Sequence, residues 1–266
     1  MLVCSLVITL ALYIAGVTRV WHAAGAGRGV EYWQVACFAA GWLAMIVALS
    51  PWMDQLSDAW LSAHMVQHEL LMVIAAPLIA ISAPLAAMLW VVPARGRRGV
   101  VGAIRGRATS AGWQAATMPG AAWLLHAAAL WTWHLPRLYD FALQHEAVHA
   151  AEHVCFFGTA ALFWWTVAHG RYGRLGYGAS VVYVFATALH SGLLGALLTF
   201  APHVWFPAYA LPHGGWLTPL EDQQLAGLLM WVPAGLVLVA GGLFFLAAWI
   251  RESERRAELT FRTTPL

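Results

Sequence analysis

The chain has 266 residues, of which 61% are hydrophobic and only 10% charged, with a net charge of +2 and a mean hydropathy of +0.68. An ordinary soluble domain, in which about a quarter of residues are charged, is excluded, and so small an excess of cations gives no argument for nucleic acid. The sixteen tryptophans suit an all-α integral membrane protein with two aqueous interfaces to anchor.

Apolar stretches run over residues 2–17, 32–49, 65–92, 114–133, 148–168, 179–201 and 224–250, each near or above the ~20 residues a helix needs to cross hydrocarbon. They predict a bundle of seven transmembrane helices within residues 1–250, followed by a short charged tail at 251–266. The first stretch is short. No basic residue precedes Arg19, so it reads as an uncleaved helix with its N-terminus outside rather than a signal peptide. The third is long and interrupted by Pro77 and Pro84. Residues 93–112, rich in glycine and arginine, read as a mobile linker. Gly192, Gly195, Gly241 and Gly242 read as sites of close helix packing. Cys4, Cys37 and Cys155 show no paired spacing and give no disulfide framework.

The chain has no lysine, so arginine alone carries the topology signal. With the N-terminus outside, the inner loops hold Arg19, Arg28, Arg95, Arg97, Arg98, Arg105, Arg107, Arg171 and Arg174, and the cytoplasmic tail holds Arg251, Arg255, Arg256 and Arg262. Only Arg137 falls outside. The expected location is the bacterial cytoplasmic membrane, crossed several times.

This orientation gathers a histidine and carboxylate cap on the extracytoplasmic side. His64 and His68 open the third stretch, His134 closes the fourth, and His145, His149 and His153 open the fifth. The adjoining loops add Asp54, Asp58, Asp140, His203, His213, Glu221 and Asp222. His64, His68 and Met72 recur every four residues and so share one helical stripe. Two imidazoles at that spacing can grip one metal ion, and a thioether one turn deeper would suit Cu(I), although Met72 taken alone reads as ordinary core. His149 and His153 repeat the pattern inside an apolar run, where polar side chains are costly and usually functional. His145 reads as structural. With Glu152 they form His149-Ala150-Ala151-Glu152-His153, the H-x-x-E-H pattern of inverted zinc peptidases.

Other polar residues have competing readings. Glu69 either orients a histidine or pairs with another helix, and Asp222 is explained by capping its own helix. His126 and His190 lie deeper: His126 reads as a carbonyl-bonded core imidazole, and His190 equally as that or as a ligand. His22 and His169 lie on the inner side. An imidazole-rich donor set suits copper, with Cu(I) favoured, better than Mg or Ca, while zinc remains compatible. The residues thus leave open a metal-handing protein, a membrane zinc hydrolase built on His149, Glu152 and His153, a b-type haem protein using His126 and His190 or His68 and His153, and a transporter.

Five motifs in order resemble the multi-spanning CtaG family of cytochrome c oxidase assembly proteins, named from the caa-type oxidase. They are His64-Met65-Val66-Gln67-His68-Glu69 with a following Ala-Pro-Leu, Trp131-Thr132-Trp133-His134-Leu135-Pro136, Tyr139, His149-Ala150-Ala151-Glu152-His153, and Asp222-Gln223-Gln224-Leu225-Ala226-Gly227. The resemblance implies a non-enzymatic membrane factor for maturing haem–copper oxidases. It would deliver copper to cytochrome c oxidase subunits, with an extracytoplasmic copper donor as a further partner. The motif histidines carried over are His64, His68, His134, His149 and His153, accompanied by Glu69, Glu152 and Asp222.

Overall fold

The computed structural model describes residues 2–104, 106–169, 176–210 and 216–263; Arg105, Arg171, Arg174 and His213, named from the sequence, lie outside them. Every regular element among the described residues is helical. The α-helices are α1 (Leu2–Ala24), α2 (Tyr32–Ala48), α3 (Pro51–Ala59), α4 (Leu61–Glu69), α5 (Ala76–Ile81), α6 (Pro84–Met88) and α7 (Ala94–Ile104). They continue with α8 (Arg107–Ala116), α9 (Pro119–Trp133), α10 (Pro136–Gln144), α11 (Glu146–His169), α12 (Tyr177–Thr199) and α13 (Pro219–Thr263).

Apolar side chains cover the outside of this bundle as well as its core. Val182, Phe185, Leu189 and Leu193 on α12 recur at three- and four-residue spacing and are all exposed, as are Leu236, Val239 and Leu243 on α13. Such stripes suit a hydrocarbon solvent and not water. Four stretches are both long and apolar enough to cross a membrane, namely Ser5–Ala24, Leu61–Ile81, Tyr177–Thr199 and Pro219–Glu258, and α2 with α3, bent by 52°, makes a fifth if counted as one. Two of the seven expected stretches do not meet both criteria. Helix α9 has only 15 residues, which rise about 22 Å. Helix α11 has 24 residues but carries Glu146, His149, Glu152, His153 and His169, which depress its hydropathy.

Two local expectations change in detail. The third stretch stays helical through Pro77, because a π-helical turn at Leu70–Ala75 precedes it; the wider ladder accommodates the missing N–H and the crowding of the proline ring. The chain instead breaks at Ala83, in the left-handed region at φ 48°, and Pro84 starts α6. Residues 93–112, expected as a linker, are largely helical in α7 and α8. Alanine and arginine are strong helix formers and outweigh Gly96, Gly99 and Gly102, while Arg97 caps the Trp90 ring at 4.1 Å.

At one end of the bundle α4, α11 and α13 begin and α9 and α12 stop, and the loops joining them fasten to one another. The Leu61 N–H donates to Asp222 Oδ2 at 2.7 Å, and the Ser62 N–H and hydroxyl donate to Oδ1. Asp222 therefore caps α4, not its own helix. Helix α13 is capped instead by a reciprocal box in which the Thr218 N–H donates to Glu221 and the Glu221 N–H to Thr218 Oγ1, with Pro219 at the first helical position. Gln223 holds the intervening loop, accepting from the Trp205 N–H at 2.7 Å and donating to the His203 carbonyl at 3.1 Å.

Helices α12 and α13 meet at Gly195 and Gly227. A Cβ on Gly227 would lie 2.5 Å from Thr199 Oγ1 and 2.6 Å from the Gly195 carbonyl oxygen. Since backbone cannot yield there, Gly227→Val should destabilise the detergent-solubilised protein by about 1–3 kcal/mol or more, the usual cost of overpacking. Thermal melting followed by circular dichroism measures it, and an unchanged midpoint would show that the two helices do not pack this closely.

Candidate metal centre

Helix α11 packs on the π-helical turn and α5, and at this end the histidines of α4 and α11 turn toward each other. Along α4, His64 and His68 are one turn apart, with ring centroids at 4.3 Å. Along α11, His149 and His153 repeat that spacing, also at 4.3 Å. Across the interface the His64 ring lies 5.1 Å from His149, and the His68 ring 5.4 Å from His153. Glu152 Oε1 approaches His68 Nε2 at 3.8 Å. The ligand atoms of His64, His149 and His153 all fall within 4.8 Å of one another, and so do those of His64, His68 and Glu152.

The surroundings are apolar and closed. His64, His68 and Glu152 are no more than 1% exposed, His153 is buried, and His149 is half-buried at the rim. Phe156 packs on the His68 ring at 4.6 Å and Tyr139 on His64 at 5.1 Å. Yet His64 Nε2, both nitrogens of His68, His149 Nε2, His153 Nε2 and both oxygens of Glu152 are buried without a hydrogen-bond partner. Buried polar atoms are almost always paired, and each unpaired one costs about 1–3 kcal/mol. Such a concentration in one spot marks a candidate ligand site, and imidazole with carboxylate is a donor set that could hold a metal ion.

For His64, neighbouring groups fix which ring nitrogen is free. The Tyr209 hydroxyl donates to the Ser57 carbonyl at 2.6 Å, so toward His64 Nδ1, at 3.4 Å, it accepts. His64 then carries its proton on Nδ1 and presents the Nε2 lone pair to the centre. Burial pushes the Tyr209 hydroxyl above its ordinary range, which keeps the proton needed for Ser57. The hydroxyl of Ser57 donates in turn to Gln67 Oε1, and Gln67 Nε2 donates to the Ala48 carbonyl and to Asp54. Every polar atom of the Gln67 side chain is used, which locks the back of α4 while its front presents histidines.

The remaining sequence candidates are less central. His134 donates from Nδ1 to the Leu130 carbonyl at 2.7 Å, leaving Nε2 buried and unpartnered, and its ring lies 6.3 Å from His68; it flanks the two groups without joining either. Met72 is buried in the main apolar cluster with Leu130, Phe156 and Leu194. His190 joins neither group and meets the Trp123 ring edge-on at 5.2 Å. His126 pairs with Thr159 at 3.3 Å. The exposed His145 bonds the Phe141 carbonyl through Nδ1. Glu69 makes no hydrogen bond to an imidazole among the described residues, and its Oε2 is buried unpaired. Tyr209 carries no signal in the sequence: it stands in a short 3₁₀ turn, and only the fold brings it to His64.

A family model described as cytochrome c oxidase caa3 assembly factor matches residues 11–252 of the chain, the family its motifs resemble. No curated protein and no solved structure matches it.

Unpaired donors make a stability prediction. Removing a buried polar group that has no partner relieves a penalty, so His68→Leu should leave the metal-free protein as stable as the wild type or raise its melting temperature. A drop of several degrees would show that His68 is satisfied in the metal-free state.

Proposed function

Because the chain belongs to the family of cytochrome c oxidase caa3 assembly factors, we propose that it takes up copper at the α4–α11 histidine centre and passes it to an oxidase subunit. The observation that carries this reading is the convergence of His64, His68, His149, His153 and Glu152 with free, buried donor atoms. Imidazole-rich sites hold Cu(I) and do not compete for Mg or Ca. A three-coordinate ion with bonds near 2.0 Å spaces its donors roughly 3.5 Å apart. Small rotations of rings already within 4.8 Å would close the site around it. Copper is here cargo, held and surrendered, and the chain itself is not a catalyst.

In the same reading α1, α2 with α3, α4 with α5, α9, α11, α12 and α13 make seven crossings of the bacterial cytoplasmic membrane. The N-terminus lies outside and the tail inside, as the arginine distribution supports. The shorter α9 and the more polar α11 cross beside the centre, shielded by their neighbours. The histidine end then opens on the extracytoplasmic side, where a copper donor and the oxidase would meet it.

Two other chemistries suit the geometry less well. A hydrolase built on His149, Glu152 and His153 would need its general base beside water, whereas Glu152 is 1% exposed and lies against His68. A haem between His68 and His153 would need a planar gap, whereas these two rings lie 5.4 Å apart and Phe156 packs on His68 at 4.6 Å.

The test is complementation of a strain lacking the chain. His68→Ala and His153→Ala should each leave the oxidase with its haem but depleted of copper, with activity lowered by about tenfold or more, at least the loss that disturbing a metal ligand's support brings. Full oxidase activity with both variants would overturn direct copper transfer.

A further inference from the structure

The donor set resolves into two groups that share one ring. His64, His149 and His153 form one, and His64, His68 and Glu152 the other. They differ in access: the first includes His149, half-buried at the rim, while the second adds only side chains that are 1% exposed. They also differ in charge, with three neutral imidazoles in one and two imidazoles with a carboxylate in the other. His64 can serve only one of them at a time, because its Nδ1 is engaged by Tyr209 and a single nitrogen, Nε2, faces the centre.

We propose that these groups are two alternative stations for one cation, an outer station that reaches the rim through His149 and an inner station closed in by His68 and Glu152, with His64 Nε2 as the ligand common to both. The proposal rests on the copper reading and adds a route to it. An ion arriving at His149 and His153 moves inward by exchanging those two nitrogens for His68 and Glu152 while its bond to His64 persists. No bare ion is ever exposed to the apolar interior, where an unpaired charge is prohibitively costly. The helical spacing makes the exchange short, since His68 lies one turn beyond His64 on α4 and Glu152 lies beside His153 on α11. The carboxylate gives the inner station a neutral complex with Cu(I), which favours the buried position, whereas the outer complex keeps its positive charge and stays near water. Tyr209 is the positioning residue: by holding the proton of His64 on Nδ1, it prevents that ring from bridging two ions.

The test uses the full-length protein in detergent, loaded with Cu(I) and challenged with bathocuproine disulfonate. Copper per chain and the rate of loss to excess chelator are both read, and folding of each variant is checked by circular dichroism. The wild type should hold one Cu(I). His149→Ala keeps the inner station and Glu152→Gln keeps the outer one, so each should still hold one. Glu152→Gln, confined to the rim, should lose its ion about tenfold faster than wild type or more, the scale on which altered metal surroundings act. Two Cu(I) per wild-type chain, loss of the ion from both variants, or equal rates of loss in all three proteins would overturn the two stations and leave the copper reading standing. A wild-type chain that binds no Cu(I) would overturn the copper reading itself.

Discussion

A set of lone pairs held in an apolar interior with nothing to bond is the constraint around which this end of the molecule is organised. Water would satisfy them, but His64, His68 and Glu152 are sealed from it. Neighbouring side chains would satisfy them too, but Phe156 has no polar atom and the Tyr139 hydroxyl makes no hydrogen bond to them. Folding tolerates this only because the surrounding scaffold is bonded so completely. Asp222 takes up the leading N–H groups of α4, Gln67 bonds through both ends of its amide behind that helix, and Gln223 pins the loop above. Stability is invested in the frame, and the centre is left hungry.

The frame also decides direction. Helices α4, α11 and α13 all start at this end, so the caps, the loops and the metal donors share one layer. Helix α13 packs directly on α4, which keeps Asp222 within reach of its first N–H groups. The proposed copper carrier would have to bind firmly and yet let go. Imidazoles held slightly too far apart for a bound ion, linked to a rim through the half-buried His149, would meet both needs without any large movement of the bundle.

The sequence shows those parts of the site that depend on local periodicity. Spacing of four residues places His64 with His68 and His149 with His153 on single helical faces, and the H-x-x-E-H string puts Glu152 beside them. Contacts between distant segments are not visible in this way. Asp222 looks like a cap for its own helix because Thr218-Pro219-Leu220-Glu221, which does that work, is the less conspicuous string. Tyr209 has no periodic neighbour, so its hold on His64 through Ser57 emerges only from the fold. His190 is a reasonable ligand by composition, but its helix delivers it to Trp123. The stretch at 93–112 misleads in the opposite sense, since its glycines suggest a linker while its alanines and arginines build α7 and α8.

Copper K-edge X-ray absorption of the Cu(I)-loaded protein tests the central claim most directly. If rings from α4 and α11 share one ion, the nearest neighbours are nitrogen and oxygen alone at about 2.0 Å, with the outer-shell scattering of imidazole. A spectrum dominated by sulfur at about 2.3 Å, or one without imidazole scattering, would contradict it.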